Sequence, residues 1–351
     1  MYGHYLAIGN GSARRGTYYK TVSASSPNLL TSPGIRGVQV RYKWVDLEPT
    51  AGTYNFGTVK ATYPDTEMTI RADLWRCAQN NSRLIVMIED KSFDGLHTVP
   101  LDLQYNTTTG ANGQFEQPIT TGQGSAYCAV RWNPTIISRF GQLLTALGAA
   151  FDTNPNWYAF ASQETATDFT AQQRTDTGYT DVAYRDALIS MLQTASLAFP
   201  RSQIFWYTNF FPSTSTDFRL QEVADTMKTF NNGDSGVVMG GPDILPDNTS
   251  IATRVEPRFG VPPTGSYGEL DLFNSMQNDS YSHVHTTSTP DPRLPGATWT
   301  LGSTWTMDHL FRHGRDNLNL NYVIWNYWNA GTRNYDPDGL AVIAANQTWT
   351  P

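Results

Sequence analysis

Several carboxylates of this chain stand just beyond apolar runs, where a strand would hand over to a loop. Glu164 follows Trp157–Ala161, Asp243 follows Gly236–Gly240, and Asp279 follows Glu269–Met276. Amides occupy similar places at Gln163, Asn209 and Gln277, and tryptophans at Trp325 and Trp328. Glu89 and Lys91 end a further run, Arg83–Glu89. Two carboxylic groups across a glycosidic bond can cleave it, one protonating the leaving oxygen while the other attacks or activates water. Aromatic rings offer a flat apolar partner to a sugar's C–H face, and amides bond its hydroxyls. The set therefore suits a carbohydrate, provided that the fold gathers these run ends on one side.

The patterning supplies such a fold. Eight segments read as strands: Tyr5–Gly9, Ile35–Tyr42, Arg83–Glu89, Trp157–Ala161, Gln203–Thr208, Gly236–Gly240, Glu269–Met276 and Tyr322–Trp325. Runs such as Leu84-Ile85-Val86-Met87-Ile88 are apolar at every position, as expected of parallel strands covered on both faces. Between them the period becomes helical. Ile136, Phe140, Leu143, Leu144 and Leu147 share one face behind a cap at Asn133 and Pro134 at the first turn. Leu188, Met191, Leu192 and Ala195 form a second face, and Leu220, Val223, Ala224 and Met227 a third, which Asn231-Asn232-Gly233 should stop.

An open doubly wound sheet has the same alternation. No G-x-G-x-x-G follows the first strand, however, and eight strands favour closure into a (β/α)8 TIM barrel spanning residues 1–351 as one domain. Two long connections, Asp90 to Asn133 and Ser280 to Gly302, would then be irregular loops forming walls of a cleft at the C-terminal mouth.

Three segments carry a family resemblance. Val38-Gln39-Val40-Arg41-Tyr42-Lys43-Trp44 runs into Leu47-Glu48-Pro49 and Gly52-Thr53-Tyr54-Asn55-Phe56; Gln163-Glu164-Thr165 follows the fourth strand; Ile324-Trp325-Asn326-Tyr327-Trp328 closes the eighth. The first two resemble the signatures of the clan A glycoside hydrolases, and specific matches are confined to residues 35–56, 157–166 and 321–328. The resemblance implies a sugar-cleaving barrel with Glu164 as general acid/base. It implies that Arg41 orients a carboxylate, and that Trp44 and Glu48 belong to the second-strand signature, with Trp44 among the substrate-binding residues and Glu48 buttressing the loop. Trp325 and Trp328 resemble the floor of a sugar subsite, one of the two being expected to be a core residue. Two departures stand out: Gln163 replaces the clan's asparagine, and Gln277 falls where the seventh strand should end in the nucleophilic glutamate. Asp243, ahead of Asp279, is the expected second carboxylate, because Gly240-Gly241 before it would let a ligand come close. Without a second carboxylate the chain would be a glycan-binding barrel, in an extracellular or viral surface assembly.

Composition limits the other classes. With 24 Lys+Arg against 31 Asp+Glu the net charge is −7, which gives a phosphate backbone or an anionic membrane no electrostatic footprint. Ten Trp, 18 Tyr and 16 Phe make an aromatic-rich chain, and its many Thr, Asn, Ser and Gly suggest long polar loops. No stretch is apolar enough to span a bilayer, and Met1–Tyr5 lacks the pattern of a secretory leader, although an extracellular or virion-associated location is favoured. Cys77 and Cys128 have no zinc spacing and leave open a single bridge. His283 with His285 and His309 with His313 are spaced like metal ligands, but nothing nearby completes either set, so neither metal nor cofactor is expected. No serine-hydrolase elbow or phosphate-cradling loop is present.

Overall fold

The computed structural model describes residues 3–8, 28–92, 95–104, 113–117, 126–168, 170–208, 217–230, 236–241, 270–276, 302–325 and 337–348, with the single positions 211 and 244. Its strands are β1 (Gly3–Ile8), β2 (Ile35–Lys43), β3 (Arg83–Glu89), β4 (Gln114–Gln117), β5 (Ala126–Ala129), β6 (Trp157–Ala161), β7 (Gln203–Tyr207), β8 (Val237–Gly241), β9 (Leu272–Met276) and β10 (Tyr322–Trp325). Eight of them close into one parallel barrel in the order β1-β10-β9-β8-β7-β6-β3-β2, so the expected (β/α)8 architecture is present.

Strand parity sorts the side chains into two layers. Leu84, Val86 and Ile88 of β3 join the core under the helices, whereas Ile85 and Met87 face the barrel axis. The axis is filled, not hollow. Tyr5 stacks on Tyr158 with centroids 5.5 Å apart, and the Tyr158 and Tyr322 hydroxyls lie 2.8 Å from each other near the start of their strands. Higher up, Tyr207 packs edge-on against Phe273 at 4.5 Å and donates to Gln39 Oε1 at 3.0 Å. These layers form a plug on which the mouth rests.

The helices follow the apolar stripes. Helix α1 (Trp44–Leu47) is a single turn after β2, α2 is Ile70–Gln79, and α3 (Leu101–Gln104) is another single turn. Helix α4 (Pro134–Phe151) starts at the expected cap: Asn133 Oδ1 accepts from Thr135 N at 2.8 Å, and Pro134 needs no donor in the first turn. Its buried face holds Ile136, Phe140, Leu143, Leu144 and Leu147. Helix α5 is Ala171–Asp176, and α6 (Asp181–Ala198) buries Leu188, Met191, Leu192 and Ala195. Gly148 brings α4 onto α6, since a Cβ there would lie 2.0 Å from Ala198 O. Helix α7 (Asp217–Lys228) buries Leu220, Val223, Ala224 and Met227, and its expected stop at 231–233 lies outside the described residues.

The connection from Asp90 to Asn133 is not irregular throughout. β4 and β5 pair antiparallel, and β5 continues the pairing onto the chain beyond β3, with Ala129 N donating to Asp90 O at 2.9 Å and Ser92 N to Tyr127 O at 2.7 Å. Of the second long connection, Ser280 to Gly302, all but Gly302 lies outside the described residues. No described helix is long and apolar enough to cross a membrane.

Candidate active site

Glu164 stands at the C-terminal mouth, three residues beyond β6. The chain there still pairs with β7, because Ser162 N donates to Phe205 O and Ser162 Oγ accepts from Tyr207 N. Past this point the backbone is held by side chains. Arg131 Nη1 donates to Glu164 O at 2.7 Å, and the Tyr184 hydroxyl donates to Thr165 O at 2.6 Å. Arg131 is itself fixed by a two-point pair with Asp90, at 2.6 and 2.7 Å, and also donates to the Tyr184 oxygen at 3.0 Å. A planar guanidinium facing a carboxylate in this way has little freedom to turn. Burial, only partly countered by the Arg131 charge, pushes the Tyr184 phenol up, so it stays a donor.

The Glu164 side chain is held as firmly. Lys91 Nζ donates to Oε1 at 2.6 Å and to Ala166 O at 2.8 Å. The Lys91 side chain is 2% exposed, whereas Glu164 keeps 21%. A buried ammonium needs such partners, because leaving it unpaired costs several kcal/mol, about 3–5 when a buried pair is broken. Lys91 was expected to meet a ligand; it meets Glu164 instead.

Arg41 and Glu89 lie on neighbouring strands at the same end. Arg41 Nη1 is 4.0 Å from Glu89 Oε1, at the outer limit of an ion pair, with side chains 24% and 12% exposed. Gln163 beside Glu164 is buried, and its Oε1 has no hydrogen-bond partner among the described residues. An orphaned acceptor next to the candidate acid is the kind of group that a ligand hydroxyl can satisfy.

Trp44, expected among the sugar-binding residues, belongs to the core, and of Trp325 and Trp328, one of which is expected to be a core residue, Trp325 is one. Trp44 is fully buried, lies edge-on to Phe140 at 5.2 Å, and donates through Nε1 to Glu48 Oε2 at 2.8 Å. Glu48 is equally buried and also accepts from Gly52 N and from Arg139, so it buttresses the turn after β2. Trp325 points outward from β10, is 1% exposed, and donates through Nε1 to His4 Nδ1 at 2.9 Å beside Phe311. Neither ring face is open to a ligand. The two glycines before Asp243 also serve the backbone: a Cβ on Gly240 would lie 1.8 Å from Phe273 O, and one on Gly241 would lie 2.8 Å from Thr208 O. Asp243, Asp279, Asn209, Gln277 and Trp328 lie outside the described residues, as do His283 and His285.

The sequence reading passed over Arg131 and Tyr184. The available signal was an arginine inside the apolar run Ala129-Val130-Arg131-Trp132, where only a paired charge is tolerated. Cys77 and Cys128 are both buried and free, and burial pushes both thiols up. Among the described residues no group of three His, Cys, Asp or Glu could hold a metal.

The sequence matches no family model and no curated protein. The fold does have solved counterparts. Endo-glycoceramidase II from Rhodococcus sp., in a complex with a cellobiose-like imidazole, superposes with a TM-score of 0.53 at 11% identity, covering 98% of this chain and 78% of that one. The β-galactosidase of the psychrophilic Marinomonas ef1 superposes with a TM-score of 0.54 at 8% identity, covering 98% and 59%. These structural neighbours are clan A glycoside hydrolases, and at such identities the likeness shows a shared fold, the parallel eight-stranded barrel.

Proposed function

We propose that the chain is a glycoside hydrolase acting on a polysaccharide or oligosaccharide, with Glu164 as general acid/base. One observation carries this reading: Glu164 stands part-exposed beyond a barrel strand at the C-terminal mouth, with its carboxylate on Lys91 and its main chain on Arg131. Sites of this fold are built at that face from strand-end residues. A general acid must meet the glycosidic oxygen in a set geometry, and a carboxylate anchored at both side chain and backbone meets that requirement. Asp243, ahead of Asp279, is the proposed second carboxylate. Gln163 supplies a carbonyl oxygen to a sugar hydroxyl, Arg41 and Glu89 line the same end, and Asn209, Gln277 and Trp328 complete the sugar contacts. An extracellular or virion-associated location belongs to the same proposal.

Gln277 favours a second reading, a barrel that binds glycans without cleaving them, since an amide cannot be the nucleophile at the end of the seventh strand. Reducing-end release across a polysaccharide panel separates the two. Glu164→Gln keeps the shape but removes the titratable proton, so turnover should fall by about 10²–10⁴-fold with binding retained. Binding without cleavage by the unaltered protein would leave the second reading standing.

A further inference from the structure

We infer that Lys91 is a positioning residue for Glu164: it fixes one carboxylate oxygen so that the proton is handled on the other, and it does not contact the sugar. This rests on the reading of Glu164 as acid/base. Lys91 Nζ is committed to Glu164 Oε1 at 2.6 Å and to Ala166 O at 2.8 Å, so one ammonium ties the catalytic side chain to the backbone two residues further on. Its own stem is not a free loop. Lys91 forms a β-bridge with Cys128, and the residues on either side bond β5 through Asp90 O and Ser92 N. The β4–β5 hairpin thus extends β3 beyond the barrel rim far enough to bring an ammonium to the end of β6.

The energetics favour this arrangement over a ligand-binding role. At 2% exposure the ammonium has given up its water, and what offsets that loss is a carboxylate and a carbonyl within hydrogen-bond distance. Breaking these bonds to reach a sugar hydroxyl would exchange a charged acceptor for a neutral one. Holding Oε1 instead restricts rotation of the Glu164 carboxylate, and a proton-transfer group must stay within about 0.5 Å of its productive position. Oε1 remains on Lys91 through the reaction, and Oε2 carries the proton to the glycosidic oxygen.

The test uses the full chain and the polysaccharide that the unaltered protein cleaves fastest. Lys91→Met, which keeps the stem and removes the charge, should lower kcat by about 10²-fold and leave KM within about twofold. Lys91→Ala lacks three methylenes and the nitrogen, which propylammonium supplies. Added propylammonium should restore activity to Lys91→Ala by about tenfold or more and leave the unaltered protein unchanged, while propanol, of similar shape but uncharged, should restore nothing. Unchanged kcat in Lys91→Met, a loss confined to KM, or equal rescue by propanol would each overturn the inference. Glu164→Gln is assayed alongside. If it is as active as the unaltered protein, the assignment of Glu164 fails on its own account; if it is inactive while Lys91→Met is not, only the role of Lys91 fails. A protein that cleaves nothing would remove both.

Discussion

Arg131 and Asp90 face each other in a two-point pair at 2.6 and 2.7 Å, and the same guanidinium reaches Glu164 O at 2.7 Å. One buried pair therefore joins the end of β3, the start of α4 and the segment that carries Glu164. Arg131→Met leaves Asp90 charged and buried, so unfolding free energy should fall by about 3–5 kcal/mol in urea titrations. The double variant with Asp90→Asn should recover part of that loss, since no unpaired charge remains. A single-variant cost below about 1 kcal/mol would mean that water replaces the guanidinium and the clamp is dispensable.

Trp44 and Trp325 should behave as core residues and not as sugar platforms. Trp44→Phe removes the donor to Glu48, and Trp325→Phe removes the donor to His4. Each leaves a buried acceptor unmet, at about 1–3 kcal/mol. Oligosaccharide affinity of the folded variants, read by titration calorimetry, should not change. A tenfold weakening in either would place that ring in the cleft.

His4 makes stability depend on pH. Its Nδ1 accepts from Trp325 and its Nε2 faces Asn346 O at 2.9 Å, an arrangement that fits the neutral ring. Burial is the main cause that lowers its pKa from 6.5 to about 4, with the nearby Arg36 charge acting in the same direction. Between these values the unfolded chain binds the extra proton and the folded chain does not. The stabilisation is therefore whole above pH 6.5 and is lost as pH falls to about 4, by about 3 kcal/mol. Urea midpoints measured across that range should fall with pH, and His4→Gln should flatten the slope. An unchanged slope in that variant would assign the acid sensitivity to other groups.

The barrel was legible because its strands are buried on both faces. β3, β6 and β10 fall at the bounds read from the sequence, since an unbroken apolar run ends where burial ends. The same property hid which way Trp325 points. In a strand apolar at every position, period two leaves no mark, and only the fold shows that Ile324 faces the axis and Trp325 the helices. The β4–β5 hairpin was missed for the opposite reason: Gln114–Gln117 is short and polar, and it is a strand through its pairing with β5, which in turn bonds the chain beyond β3. Glu164 stands out in the sequence through its place just after an apolar strand and through the resemblance of Gln163-Glu164-Thr165 to the clan's signature. Its holders, Lys91 and Arg131, come from 73 and 33 residues away in the chain, a separation that spacing rules do not reach.

The role of Glu164 can be separated from that of the second carboxylate by the leaving group. A sugar alkoxide departs only with a proton, so on an oligosaccharide the first turnover of Glu164→Gln should be slowed by about 10²–10⁴-fold. A dinitrophenolate is stable as the anion and needs no proton to leave, so release from a dinitrophenyl glycoside should be nearly as fast as in the unaltered protein. Stopped-flow release of dinitrophenolate, compared with quenched single turnovers of the oligosaccharide, measures both. A nucleophile would behave differently, because its loss slows attack at the sugar carbon whatever departs from it. Equal damage on the two substrates would therefore move Glu164 from acid/base to nucleophile, and the search for the acid would turn to Glu89, whose part-exposed carboxylate lies 4.0 Å from Arg41 at the same end of the barrel.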